Sequence, residues 1–186
     1  MELTIAYIVS QIFVIINRIL LIVTYQLKSR KTILIVSLMA LLANGVVYVL
    51  LSAWSGLAMV FVAIVRNIIF MLDEKNNDKS DQVTQKDVGI LVILYIISII
   101  SAIFTYEGIL SMMSVVATML YTYSVWQKKT NAYKILGIII ETVWIIYNIY
   151  ICSIMGVILN ISLLVSAIIG LIREHKIIYN KLENEK

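Results

Sequence analysis

Seven long apolar runs follow one another along the chain, separated by short polar interruptions. None alternates polar with apolar residues as a barrel strand does, and a segment crossing lipid must satisfy its own backbone hydrogen bonds. The pattern therefore predicts an all-α polytopic membrane protein with seven transmembrane helices, at 3–25, 32–51, 56–72, 88–106, 109–126, 133–150 and 153–172. At a rise of about 1.5 Å per residue each crosses a hydrocarbon layer of about 30 Å, the third only if it extends slightly or the bilayer thins. No basic stretch precedes the first run, and Lys28, Arg30 and Lys31 follow it, so it reads as a retained anchor rather than a cleaved signal peptide.

Composition removes the soluble alternative. With 61% hydrophobic and 14% charged residues among 186, a water-soluble fold would lack the polar residues to cover its surface.

The charge pattern adds an orientation. All Lys and Arg except Arg18 and Arg66 fall in four stretches: Lys28 to Lys31, Lys75 to Lys86, Lys128 to Lys134, and Arg173 to Lys186. The intervening turns at 52–55, 106–108 and 152–154 have none. Because basic loops stay on the cytoplasmic side, the alternation predicts an outside N-terminus and an inside C-terminus. Topology accounts for the net charge of +4, leaving no basic patch for nucleic acid. The expected partner is the lipid bilayer.

Setting Gln26 against Gln127 brings out an internal likeness. Each is followed by a basic loop, a span, a turn with Ser52 and Gly56 or Ser153 and Gly156, and a further span, in register after a one-residue gap. This predicts a first three-helix repeat at 1–72 and a second at 109–173, joined by a linking helix at 88–106. The odd linking helix makes the two repeats parallel, related by an axis along the membrane normal. The segment 73–87 is a polar cytoplasmic linker; it lacks the central glycine and terminal glutamate of a calcium loop. Residues 174–186 form a cytoplasmic tail that continues the last helix into water. Gly56 and Gly156 suit sharp outer turns, and Tyr7, Trp54, Tyr106 and Trp126, near span ends, suit the interfacial belt.

Candidate chemistry lies with the ionisable residues inside spans. Arg18, Arg66 and Glu141 each fall roughly 10 to 15 Å from the inner boundary, and an exposed charge there costs about 2.5 to 3.5 kcal/mol. They should face protein or water. One interface between the repeats can hold an Arg–Glu pair, with Arg66 the preferred partner of Glu141 and Arg18 free to snorkel to headgroups. Such a pair serves either as a packing lock or as part of a solute or proton site. Asn17, Asn44, Asn67, Asn148 and Asn160 also lie within spans, as interhelical glue or as cavity lining. Glu141, Trp144 and Asn148 share one face of the sixth helix, which suits a small polar or ring-bearing solute. The expected substrate-binding set is Arg66, Asn67, Glu141, Trp144, Asn148 and Asn160.

Enzyme chemistry is not expected. The single histidine, His175, is in the tail, and Cys152 is the only cysteine, so paired-His haem ligation, a zinc-His site, a Ser–His nucleophile and an internal disulfide are all excluded. No cofactor and no metal site is anticipated.

The stretches Ser124-Val-Trp-Gln-Lys-Lys, Glu141-Thr-Val-Trp-Ile-Ile-Tyr-Asn and Ile172-Arg173, with Gln11 and Ala63-Ile-Val-Arg66 in the first half, resemble the YgjV family of bacterial inner membrane proteins over nearly the whole chain. That resemblance implies a fold and a place in the bacterial cytoplasmic membrane, not a reaction. The three-plus-one-plus-three layout is also similar to SWEET sugar transporters and PnuC vitamin transporters. By that likeness Trp144 and Asn160 are pocket residues of the second repeat, while Val60 stands where the first would carry an asparagine. The chain has no proline, whereas SWEET-like transporters carry one on the first helix of each repeat. The leading expectation is a small-solute transporter or facilitator with a polar cavity between the repeats; the alternative is a non-transporting scaffold or accessory subunit.

Overall fold

A computed structural model describes residues 2–52, 54–76, 85–104, 109–127, 129–150 and 152–184, although some side chains within helices are not placed. The described residues form seven helices and no strand: α1 (Glu2–Gln26), α2 (Arg30–Leu50), α3 (Trp54–Asn76), α4 (Gln85–Phe104), α5 (Ile109–Trp126), α6 (Thr130–Tyr150) and α7 (Ile154–Asn184). Four of them, among the described residues, contain stretches long and apolar enough to cross a membrane: Ile5–Gln26, Arg30–Leu50, Thr130–Tyr150 and Ile154–Lys176. Asp87–Ser101 and Val115–Trp126 are shorter apolar helices. The segment 77–84, Tyr106 and the side chain of Trp54 lie outside the described residues.

Polarity is inverted relative to a soluble bundle. On α1, Ile5, Ile8, Ile12, Ile15 and Ile19 recur at helical spacing and are exposed, while Ser10, Asn17 and Thr24, seven residues apart, are buried. The other helices likewise turn Ser37, Asn67, Thr122, Glu141 and Asn160 inward. An apolar exterior over a polar interior is stable only where the surroundings are hydrocarbon.

The helices pack in a ring. α1 lies against α2, α2 against α3, α5 against α6, α6 against α7, and α7 returns to α1. The ring closes thinly between α3 and α5, and α4 packs on the α5 side. Where α1 meets α7, Gln26 Nε2 donates to the carbonyl and hydroxyl of Ser166 at 2.8 and 2.9 Å, and Ser166 Oγ donates to the Ile22 carbonyl at 2.9 Å.

One end of the ring is solid. The main buried apolar cluster, Tyr25, Ile33, Leu34, Phe70, Leu94, Val125, Tyr133, Leu163 and Ala167, lies mostly toward the end that carries the basic loops. Two ion pairs close this basic end, Arg30 with Glu74 and Lys134 with Glu174. Arg30 also donates to the carbonyls of Val125 and Trp126, at 3.4 and 3.3 Å, and so caps the C-terminus of α5. Trp126, near the same end, donates its indole N–H to the Asp87 carbonyl at 2.9 Å.

The tight turns at the other end differ from expectation. Gly56 and Gly156 are inside α3 and α7, and the left-handed residues are Ser52 (φ 52°) and Cys152 (φ 56°). Gly156 instead allows a close approach, because a Cβ there would meet the Asn148 side chain and displace it. The Gly156 N–H donates to Ser153 Oγ at 3.3 Å, so Ser153 caps the start of α7. At the polar linker, α3 runs on to Asn76 and α4 begins at Gln85. α7 extends to Asn184, roughly three turns past the span end at 172, so the tail continues the last helix as expected, and for more than a turn or two.

Candidate functional site

Above the solid basic end, the ring encloses a cavity of about 550 Å³. Every ring helix contributes to its wall: Asn17 and Arg18 from α1, Asn44 and Tyr48 from α2, Arg66 from α3, Thr118 and Tyr121 from α5, Glu141, Trp144, Tyr147 and Asn148 from α6, and Asn160 from α7. Helical spacing explains the α6 face, since positions 141, 144 and 148 fall on one stripe. Arg18, Arg66 and Glu141 meet in this one cavity.

Their pairing is different from the expected one. No hydrogen bond or ion pair joins Arg66 to Glu141 among the described residues. Arg66, 4% exposed, donates Nη1 to Thr122 Oγ1 at 2.9 Å and Nη2 to Asn67 Oδ1 at 3.5 Å, with its guanidinium 4.8 Å from the centre of the Tyr121 ring. Its Nε–H has no acceptor among the described residues. Glu141, 7% exposed, accepts a hydrogen bond from Tyr25 OH at 3.1 Å on Oε1, and its Oε2 has no donor. The cation close enough to act on Glu141 is Arg18, which does not snorkel but donates Nη1 to Asn160 Oδ1 at 3.2 Å. With no direct bond between them, the Arg66→Ala and Glu141→Ala double-variant cycle is expected to show a coupling below about 1 kcal/mol, left by the cavity they share. A coupling above about 1 kcal/mol in that cycle would restore the direct pair.

Five of the six expected residues, Arg66, Glu141, Trp144, Asn148 and Asn160, line the cavity; Asn67 does not. Asn67 is fully buried, with Nδ2 donating to Ser37 Oγ at 2.8 Å, so it ties α3 to α2 and braces Arg66 from behind. Asn148 Nδ2 donates to the Trp144 carbonyl at 2.7 Å, and the Trp144 and Tyr147 rings meet edge-on at 5.5 Å between centroids. Four tyrosines, Tyr25, Tyr48, Tyr121 and Tyr147, belong to the wall and were not among the six expected residues. Tyr25 is seven residues beyond Arg18, and Tyr48 four beyond Asn44, so the faces of the recognised polar residues carry their signal. Among the described residues no group of His, Cys, Asp or Glu converges on a metal-sized site.

An all-helical ring, apolar outside and polar within, with charged side chains around an internal cavity, defines a polytopic membrane protein. The family model Imp-YgjV, bacterial inner membrane protein, matches residues 8–177, and the chain belongs to that family. No curated protein and no solved structure matches it.

Proposed function

We infer that the protein is a seven-span small-solute transporter or facilitator of the bacterial inner membrane, not an enzyme, and that the cavity is its solute site. The observation that carries this reading is the cavity itself, about 550 Å³ with Arg18, Arg66 and Glu141 in its wall. Intramembrane charges are costly unless they serve a pathway or a partner. In this reading the structure is the form closed at the basic end, which is the cytoplasmic side, with the N-terminus outside.

Two parallel repeats linked by α4 are part of the same proposal. Supporting them, features recur 100 residues apart: left-handed Ser52 and Cys152, and the ion-paired Glu74 and Glu174. The layout likeness to SWEET- and PnuC-type transporters enters as analogy. Trp144 and Asn160 line the cavity, as does Val60 in place of an asparagine. With no proline to bend a helix, alternation of access falls to whole-helix movement, and the thin α3–α5 joint is where the ring yields most readily.

The scaffold or accessory-subunit alternative draws on one observation, that Arg66 is bonded to neutral oxygens across the α3–α5 joint and so can act purely as a packing group. Thermal stabilisation of purified protein by sugars, nucleosides, vitamins, organic acids or amino acids separates the two. The transporter reading predicts at least one hit that weakens in Glu141→Gln and Trp144→Ala. No hit, with unchanged stability in both variants, and co-purification of a stable partner would favour the scaffold.

Orientation has its own test. Cys152 is free and exposed, and it is expected to react with a membrane-impermeant thiol reagent from the outer face. In a Cys152→Ser background, His175→Cys is expected to react only once the inner face is opened. The reverse pattern overturns the orientation.

A further inference from the structure

Resting on the solute-site reading, we propose that the cavity takes a small ring-bearing monocarboxylate that carries a neutral hydrogen-bond donor at its other end.

Charge arithmetic selects the anion. The charged residues of the wall are Arg18, Arg66 and Glu141, two cations and one carboxylate. Arg18 is near enough to Glu141 to balance it, and Arg66 faces no carboxylate among the described residues. A buried guanidinium served only by neutral oxygens and a ring face is under-compensated, and it still has a free Nε–H. One solute carboxylate against the guanidinium brings the site to neutrality and pairs a charge that neutral oxygens alone now serve.

The second feature comes from Glu141. Its Oε1 is held by Tyr25, and its Oε2 is buried without a donor. A hydroxyl or ring N–H on the solute satisfies it without adding charge. An ammonium there would return the cavity to its uncompensated cationic excess, so a zwitterion fits less well than a hydroxylated or N–H-bearing acid. A neutral sugar leaves Arg66 as it is. Aromatic walls from Tyr121, Trp144 and Tyr147 supply flat faces for a ring, and the volume accommodates a one-ring acid.

The test measures binding of five matched compounds to the purified full-length protein in lipid nanodiscs: 4-hydroxyphenylacetate, phenylacetate, 4-hydroxyphenylacetamide, tyramine and tyrosine. The hydroxyacid is expected to bind at least about tenfold more tightly than its neutral amide and several-fold more tightly than phenylacetate. Arg66→Gln is expected to erase the acid-over-amide preference while Arg66→Lys, which keeps the charge and controls for folding, retains much of it. Glu141→Gln acts with the opposite sign: removing a negative charge leaves phenylacetate bound as well or better, while the advantage of the hydroxyl shrinks. Tightest binding of tyrosine, tyramine or the amide overturns the proposal but leaves a solute site standing, as does an acid preference that survives Arg66→Gln. Failure of all five to bind overturns it as well, and the solute-site reading falls with it only if the wider panel of sugars, nucleosides, vitamins, organic acids and amino acids also gives no stabilisation.

Discussion

Replacing Lys134 by methionine is expected to destabilise the protein by about 3–5 kcal/mol, the range for stranding one partner of a buried ion pair. Lys134 is 1% exposed, yet its ammonium reaches Glu174 and donates to the Gly170 carbonyl at 3.3 Å. Methionine fills a similar volume, so the loss reads the missing charge rather than a void. Glu174 would retain the hydrogen bond from Thr130 Oγ1 but no cation. The counterpart pair gives an internal comparison, because Glu74→Gln strands Arg30, 8% exposed, which keeps its bonds to the Val125 and Trp126 carbonyls. Glu74→Gln is accordingly expected to cost about 1–3 kcal/mol. Unfolding by graded denaturant in mild detergent, followed by tryptophan fluorescence, measures both; a Lys134→Met loss below about 1 kcal/mol would show that the pair is not holding α6 to α7.

Gly170→Ala is the second large effect, a loss of about 3 kcal/mol or more. A Cβ at Gly170 would collide with the backbone carbonyl oxygen of Tyr25 on α1. Backbone cannot swing aside as a side chain can, so α1 and α7 must separate along the seam where Gln26 and Ser166 bond. Gly89→Ala is the control: nothing lies within 4 Å of its Cβ position, and alanine there is expected to stabilise α4 by about 0.5–1 kcal/mol. Equal midpoints for Gly170→Ala and the parent protein would mean that the seam is looser than the structure has it.

Position along each helix was legible in the sequence, and direction around it much less so. The seven apolar runs reappear as helices, and counting residues from the basic loops placed Arg18, Arg66 and Glu141 at one level, where a single cavity collects them. The pairing could not be read the same way, because depth says nothing of which way a side chain points. Arg66 and Asn67 illustrate the limit: neighbours on a helix are separated by about 100°, so one faces the cavity while the other turns to Ser37 on α2. Lys134 was legible only as one more loop cation. Its place inside α6, under Gly170 and Glu174, depends on how α7 crosses it, and no local pattern records that.

Tyr25 belongs to two structures at once. Its hydroxyl holds Glu141 in the cavity wall at 3.1 Å, while its ring packs 5.4 Å from Tyr133, whose own hydroxyl lies 2.9 Å from Thr24 Oγ1 within the solid core. Loss of the Tyr25–Glu141 bond removes one of the bonds anchoring that core, and any loosening of the core that swings Tyr25 away leaves the carboxylate without its donor. The two events share one free-energy cycle, so each must favour the other by the same factor. A single hydroxyl thus ties the wall of the cavity to the packing of the basic end, so that a change in either is felt by the other.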